Sequence, residues 1–332
     1  MNVTVIRPAE LGVSEEKLWR EFQGSYPMGT NPLFSLTYVR ALCCADENGR
    51  VAVVEDDGRV RAFIPYAKGD DGIATTLGGG HTGLDGLVSS NTPIDLRPVV
   101  RGAGLRGWRF SHAPIEQRPL DPYRYQGSYH RSLIYFADLH DGYDGYMRGL
   151  PKSVTKRISR TASYRRALQR ELGEVSFEWN SSDPSHLPLL LNWKSGQFES
   201  VRQWVSSQSV RTLLRDLTDS DNEDCSGVTS VLYAGMKPLS IVFSLRCGHI
   251  LRPWILAYDP EYSRFSPGTI EWLALFEEAA TRGVEVVDFG YGDDRYKQRF
   301  GNATYTVTGG GVWASRLGSA ARSLYRRAKY HD

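Results

Sequence analysis

Cysteine is scarce in this chain and badly spaced for holding metal. The 332 residues include four, Cys43, Cys44, Cys225 and Cys247. No CxxC pair occurs, and adjacent Cys43 and Cys44 cannot easily bridge each other. That usage predicts free thiols in a reducing compartment and excludes a disulfide scaffold. Histidine is thin too: the seven include no HExxH and no HxH, so no metal site is expected. No apolar run approaches the roughly 20 residues that cross a bilayer, which argues against stable membrane insertion. The opening MNVTVIRPAELG lacks the basic start and apolar centre of a secretory leader. A cytoplasmic location is the expectation. With 41% hydrophobic and 23% charged residues the composition is globular, and the length suits two domains or one large one.

The net charge of +2 hides a local asymmetry. A helix predicted over 152–170 carries Lys152, Lys156, Arg157, Arg160, Arg165, Arg166 and Arg170. Val154, Ile158, Ala162, Ala167 and Leu168 give it an apolar stripe. Ahead of it, 51–54 and 60–66 alternate around Asp57-Gly58, a strong hairpin signal. The glycine-rich stretch 77–86 lacks the lysine of a P-loop and is read as a structural loop. Helices are expected over 186–199 and 210–217, before an acidic loop at 219–224. A three-strand meander follows over 228–234, 239–246 and 249–258, with Pro253 predicting a bulge in its last strand. Then come a loop ending in Ser266-Pro267-Gly268, an amphipathic helix over 269–282 and the apolar run VEVVDF at 284–289. A short helix over 295–300 and strands at 304–308 and 312–314 complete the pattern.

The run VEVVDF breaks at once into Gly290-Tyr291-Gly292-Asp293-Asp294-Arg295-Tyr296-Lys297. A buried strand that ends in glycines beside acid, phenol and amine groups is a frequent way to build a reaction site. Acyl transfer needs a base for the nucleophile's proton and donors for the developing oxyanion. Asp288, with Asp293 second, suits the base; Tyr291 and Tyr296 suit proton donation or carbonyl binding. Lys297 suits an anion. Each has a plainer alternative: a carboxylate satisfied by turn amides, packed phenols, a surface lysine. No cysteine sits in a nucleophile's context, so direct attack is favoured over a covalent intermediate.

Three antiparallel strands, a glycine-bearing helix start, a helix and then a strand parallel to the third resemble the core of the GNAT acyltransferase superfamily. Within it the chain resembles the cellulose-biosynthesis-type acetyltransferases, relatives of the Fem aminoacyltransferases. The segments that carry the likeness are the basic run 157–168, Trp193-Lys194-Ser195-Gly196-Gln197, Ala257-Tyr258-Asp259-Pro260 running to Ser266-Pro267-Gly268, and 288–294 with Tyr296, Lys297 and Phe300. The resemblance implies an α+β fold with a mixed sheet, a tandem GNAT-like acyl-CoA N-acyltransferase of two packed halves. These would span 1–140 and 141–332, the second carrying the donor slot. It implies acetyl-CoA or another acyl-CoA as donor, held by Arg264, Ser266, Pro267, Gly268 and Trp254. The acceptor, a small molecule or saccharide, would meet Arg157, Arg160, Lys194, Gln197 and Lys297. One departure stands out: the loop 264–268 keeps a single glycine, so few amides can approach a pyrophosphate. That favours the rival reading of aminoacyl-tRNA as donor, as does the basic helix. A non-catalytic anion-binding protein on the same fold is the second rival. The tail 316–329, with Arg322, Arg326, Arg327 and Lys329, is read as docking on the core or touching an acidic surface.

Overall fold

The computed structural model describes residues 1–315 apart from 80–82, 91, 121–129, 198, 220–224 and 293. Asp293 and the basic tail therefore lie outside the described residues, as do parts of the glycine-rich and acidic loops. The chain forms two compact units, one of Met1–Ile134 with the segment from Tyr305, the other of Tyr135–Thr304. The division falls just before the expected 140/141 boundary, and the last strand returns to the first unit.

In chain order the elements are β1 (Asn2–Ile6), α1 (Val13–Gln23), α2 (Leu36–Ala45), β2 (Gly49–Asp56), β3 (Arg59–Lys68), β4 (Ile73–Thr75), β5 (Val88–Ser89), α3 (Leu96–Gly102) and β6 (Gly107–Pro114). Next come β7 (His130–Asp138), α4 (Gly142–Gly149), α5 (Lys152–Leu172), β8 (Val175–Glu178), α6 (His186–Gln197), α7 (Glu199–Ser206) and α8 (Gln208–Thr218). The chain closes with β9 (Ser226–Ala234), β10 (Lys237–Cys247), β11 (Ile250–Tyr258), α9 (Pro267–Thr281), β12 (Val286–Asp288), α10 (Arg295–Phe300) and β13 (Ala303–Trp313).

In the first unit the strand order is β1-β2-β3-β4-β6-β13. Asp57 and Gly58 both adopt positive φ, 49° and 68°, which gives the two-residue turn whose twist matches its strands. The two C-terminal strands expected at 304–308 and 312–314 are one strand, β13, with a register shift between Thr308 and Gly310 on β6. Glycines within a β-run lower its propensity but suit a bulge.

The second unit orders its strands β7-β12-β11-β10-β9-β8. The expected meander is β9, β10 and β11. Phe243 pairs with Ile255 but Ser244 with Pro253, so Trp254 is the extra residue of a bulge, where Pro253 predicted one. β12 lies parallel to β11 only at Ile250↔Val286 and Leu251↔Val287. Beyond Leu251 the two strands share no pairing. Helix α9 supports this arrangement with Trp272, Leu275, Phe276 and Ala279, all buried. Trp272 and Phe276 meet Phe289 at 5.3 and 5.9 Å between ring centroids, and Tyr146 of α4 donates to the Phe300 carbonyl at 2.8 Å. This aromatic core fixes the end of β12 and the start of α10. The expected helix 186–199 is α6 and a separate α7.

One residue of α9 breaks the apolar pattern. Glu271 is fully buried, and neither carboxylate oxygen has a hydrogen-bond partner among the described residues. Burial raises its pKa well above the ordinary carboxylate range, opposed only by the Leu232 backbone. A carboxyl whose native pKa is raised contributes stability that is complete below its unfolded pKa of about 4.3 and is lost as pH climbs toward the native value. Each pH unit across that window costs about 1.4 kcal/mol. Glu271→Gln is therefore expected to match wild type in thermal unfolding at pH 4 and to exceed it at pH 8. Equal curves at both values would remove the argument.

Candidate active site

The site begins with a charge in the middle of an apolar strand. Arg252 of β11 is 5% exposed, and its Nη1 donates to the backbone oxygen and to Oδ1 of Asp288, 3.3 Å each. Asp288, fully buried at the end of β12, also accepts the Gly290 N–H on Oδ1 at 2.7 Å. Gly290 has φ +67°, and a Cβ there would overlap the Arg252 guanidinium. A glycine is therefore required twice, for its dihedral and for the guanidinium lying against it. Gly292 repeats the device. Its φ is +121°, and a Cβ would sit 2.8 Å from Lys297 Nζ.

Lys297 of α10 is buried; its ammonium donates to the Tyr291 carbonyl and pairs with Asp294 at 3.2 Å. From α6, Lys194 Nζ donates to the Leu256 carbonyl at 3.1 Å, and Gln197 Nε2 to that of Tyr258 at 2.8 Å. Two residues apart, these carbonyls lie on one edge of β11. Burial lowers the pKa of Lys194, helped by repulsion from Lys297 and opposed by Asp294. Burial likewise lowers that of Lys297, with Asp294 and Asp288 opposing and Arg252 adding to the fall. The five charges therefore feel one another. Among the described residues, three cations, Arg252, Lys194 and Lys297, face two acids, Asp288 and Asp294. Arg299 is also lowered, first by burial and then by repulsion from Arg157 of α5. A positive surplus in a partly desolvated place favours an anionic ligand.

The other expected residues spread around this cluster. Tyr296 stacks on Trp272, centroids 5.5 Å apart; burial raises its phenol far above the ordinary range, so it stays protonated. Tyr291 is 47% exposed. Trp254, the bulge residue, packs on Trp204 and Phe243 at 5.7 and 6.5 Å. Arg160 and Arg157 are exposed on α5. At the start of α9, Ser266 takes the left-handed conformation, φ 51°. Pro267 has no N–H to offer, and the amides of Thr269 and Ile270 donate to the Ser266 carbonyl at 2.9 and 3.3 Å. Arg264 pairs with Glu171 at 2.6 Å. A Cβ on Gly268 would meet Tyr258 at an ordinary 3.4 Å. Sequence reasoning missed Arg252, Asp294 and Arg299. The signal for Arg252 was one charge inside ILRPWILAY; for Asp294 it was its place beside Lys297 in the glycine loop.

Residues 155–298 match a family described as an acetyltransferase (GNAT) domain, a span that holds all five charges of the cluster. No curated protein matches the chain. Similar solved structures include FemX, with TM-score 0.60 and 10% identity over 93% of this chain and 97% of that one. A tandem GNAT protein from the clavulanic acid biosynthesis pathway aligns with TM-score 0.53 and 10% identity over 95% and 98%. A GNAT-family acetyltransferase from Colwellia psychrerythraea aligns with 0.51 and 9% over 94% and 100%. The fold is α+β and GNAT-like, of the tandem kind, and the chain is an acyltransferase.

Gly290 gives a clean test of the cluster. Gly290→Ala is expected to lose about 2 kcal/mol or more of stability and most of its acyl transfer. Gly283, with φ +73° but open space around a Cβ, supplies the control: Gly283→Ala should cost about 1 kcal/mol and keep activity. Thermal unfolding of both variants separates the guanidinium contact from backbone strain.

Proposed function

We propose that the second unit transfers an acyl group to the amine or hydroxyl of an anionic acceptor by direct attack, and that the acceptor is a small molecule, saccharide or cell-envelope component. Among the described residues, the surplus of buried or half-buried cations, Arg252, Lys194 and Lys297, over Asp288 and Asp294, placed where β11 and β12 part, carries this reading. The acceptor's carboxylate or phosphate is held by Lys297 and Lys194, with Arg157, Arg160 and Arg299 outside them and Gln197 beside them. Its anion restores to the two lysines the charge stabilisation that burial withdraws. Asp288 or Asp293 takes the proton of the attacking group. Tyr296, kept protonated by burial, gives its proton or a hydrogen bond to the leaving group, and Tyr291 completes the carbonyl's surroundings.

The donor of the first reading is acetyl-CoA or another acyl-CoA. Its pantetheine arm would lie where the strands part, beside Trp254, with its phosphates toward Arg264, Ser266, Pro267 and Gly268. Aminoacyl-tRNA is the second reading, and two observations favour it. Lys194 and Gln197 already take the carbonyls that an amide-bearing arm would use, and the start of α9 has few free amides. The basic α5 suits a polyanion equally. Membership of the cellulose-biosynthesis-type acetyltransferases belongs to the first reading, kinship with the Fem enzymes to both.

Calorimetry with acetyl-CoA and with charged tRNA at moderate salt tests the donor. Micromolar binding of the thioester supports the first reading; binding of charged tRNA alone supports the second. With the donor in hand, Lys297→Met should raise KM for the acceptor about 10-fold or more. Tyr296→Phe should lower kcat about 10-fold or more with KM little changed. Full activity in both variants would move the reaction away from this cluster.

A further inference from the structure

Apart from the glycine turn, the second unit has a cavity of about 530 Å3 among the start of α6, α8 and β9. That volume is ordinary for a small-molecule site. Its apolar wall is made by Leu187, Leu191 and Leu214, the last two 6% and 1% exposed. Four charges line the same cavity: Arg211 and Arg215, one turn apart on α8, and Asp183 and Asp219. All four are exposed, and none makes an ion pair among the described residues. Opposite charges on one rim ordinarily find each other when the side chains reach. Asp183 turns its carboxylate onto the Ser185 amide at 2.8 Å, which lowers its pKa and keeps it charged. Asp219 sits at the C-cap of α8, its own N–H bonded to the Arg215 carbonyl. An independent sign comes from β9. Thr229 lines the cavity and is 2% exposed, yet its hydroxyl has no hydrogen-bond partner among the described residues, an arrangement that costs stability unless something meets it.

We propose that this cavity binds a small zwitterion with an apolar side chain, of the size of an aromatic amino acid. Its carboxylate meets Arg211 and Arg215, its ammonium meets Asp183 and Asp219, and its side chain lies on the three leucines, with Thr229 offering a hydroxyl to its polar end. The charges are solvent-exposed and screened, so each contributes modestly. Discrimination comes from needing both signs on one apolar body.

The experiment is calorimetric titration of the full chain with L-phenylalanine, 3-phenylpropionate, which lacks the amine, and phenethylamine, which lacks the carboxylate. Saturable binding of the amino acid with a Kd of about 1 mM or tighter is expected, with both analogues at least about 10-fold weaker. Arg215→Ala, an exposed change that should leave folding intact, is expected to weaken the amino acid by a similar factor, and Thr229→Val by less. Tyr296→Phe should leave binding unchanged, because it alters the other site. The proposal fails if no saturable binding occurs, if the three compounds bind alike, if Arg215→Ala has no effect, or if Tyr296→Phe abolishes binding.

Discussion

The contact on which the site depends is the Arg252 guanidinium lying on the backbone of Gly290 and held by Asp288. It ties β11 to the end of β12 beyond the last paired residues, Leu251 and Val287. Without it, two parting strands would leave both a buried cation and the following turn undefined. A buried ion pair is poor evidence for net stability, because desolvation consumes much of the attraction. Its value here is positional. The same carboxylate that holds the guanidinium also takes the Gly290 amide, so one acid sets the strand end, the turn and the arginine together.

That economy explains why the charges around it are unbalanced. Asp288 holds Arg252 and the Gly290 amide, and Asp294 answers Lys297 across 3.2 Å. Lys194 reaches in from another helix and donates to the Leu256 carbonyl of β11. Its ammonium is desolvated and close enough to Lys297 to be repelled by it. Such an arrangement lowers the stability of the empty site and raises its affinity for a negative group, the usual exchange at a functional site. The aromatic core beneath, Trp272 with Phe276 and Phe289, makes that tension tolerable by fixing the backbone that carries the charges.

Much of the scaffold was legible because local rules agree with the final packing. Asp57-Gly58 encodes its turn through positive φ, and the meander reads from alternation and glycine turns. Pro253 marks the bulge because proline cannot complete a ladder. The glycine loop was legible as a candidate site, and its residues were visible as acid, phenol and amine. What was not legible was why the glycines are there. Gly290 looks like a turn residue until Arg252, 38 positions earlier, is seen lying on it. The same distance hid the arginine itself, since a single charge in an apolar strand has no partner in its own neighbourhood. Lys194 and Gln197 were visible as acceptor candidates on an expected helix, but their amine and amide meet the carbonyls of β11, which no helical spacing encodes. The split of 186–199 into two helices and the fusion of the last two strands are tertiary outcomes of the same sort.

The capping of β11 by α6 has a consequence for how the fold carries its chemistry. A strand that parts from its neighbour exposes carbonyls and amides that must find partners or water. In this unit the side chains of Lys194 and Gln197 supply two of those partners, so the opening is closed along that edge by donors. An amide-bearing ligand entering there has to replace two hydrogen bonds, one of them to a cation and worth more than a neutral one. An anionic ligand gains instead, because it needs no carbonyl and finds ammonium groups already held in place. The local physics of the opening thus favours negative charge over a peptide-like arm. That preference comes from α6, an element outside the strand–helix–strand pattern by which the fold is known.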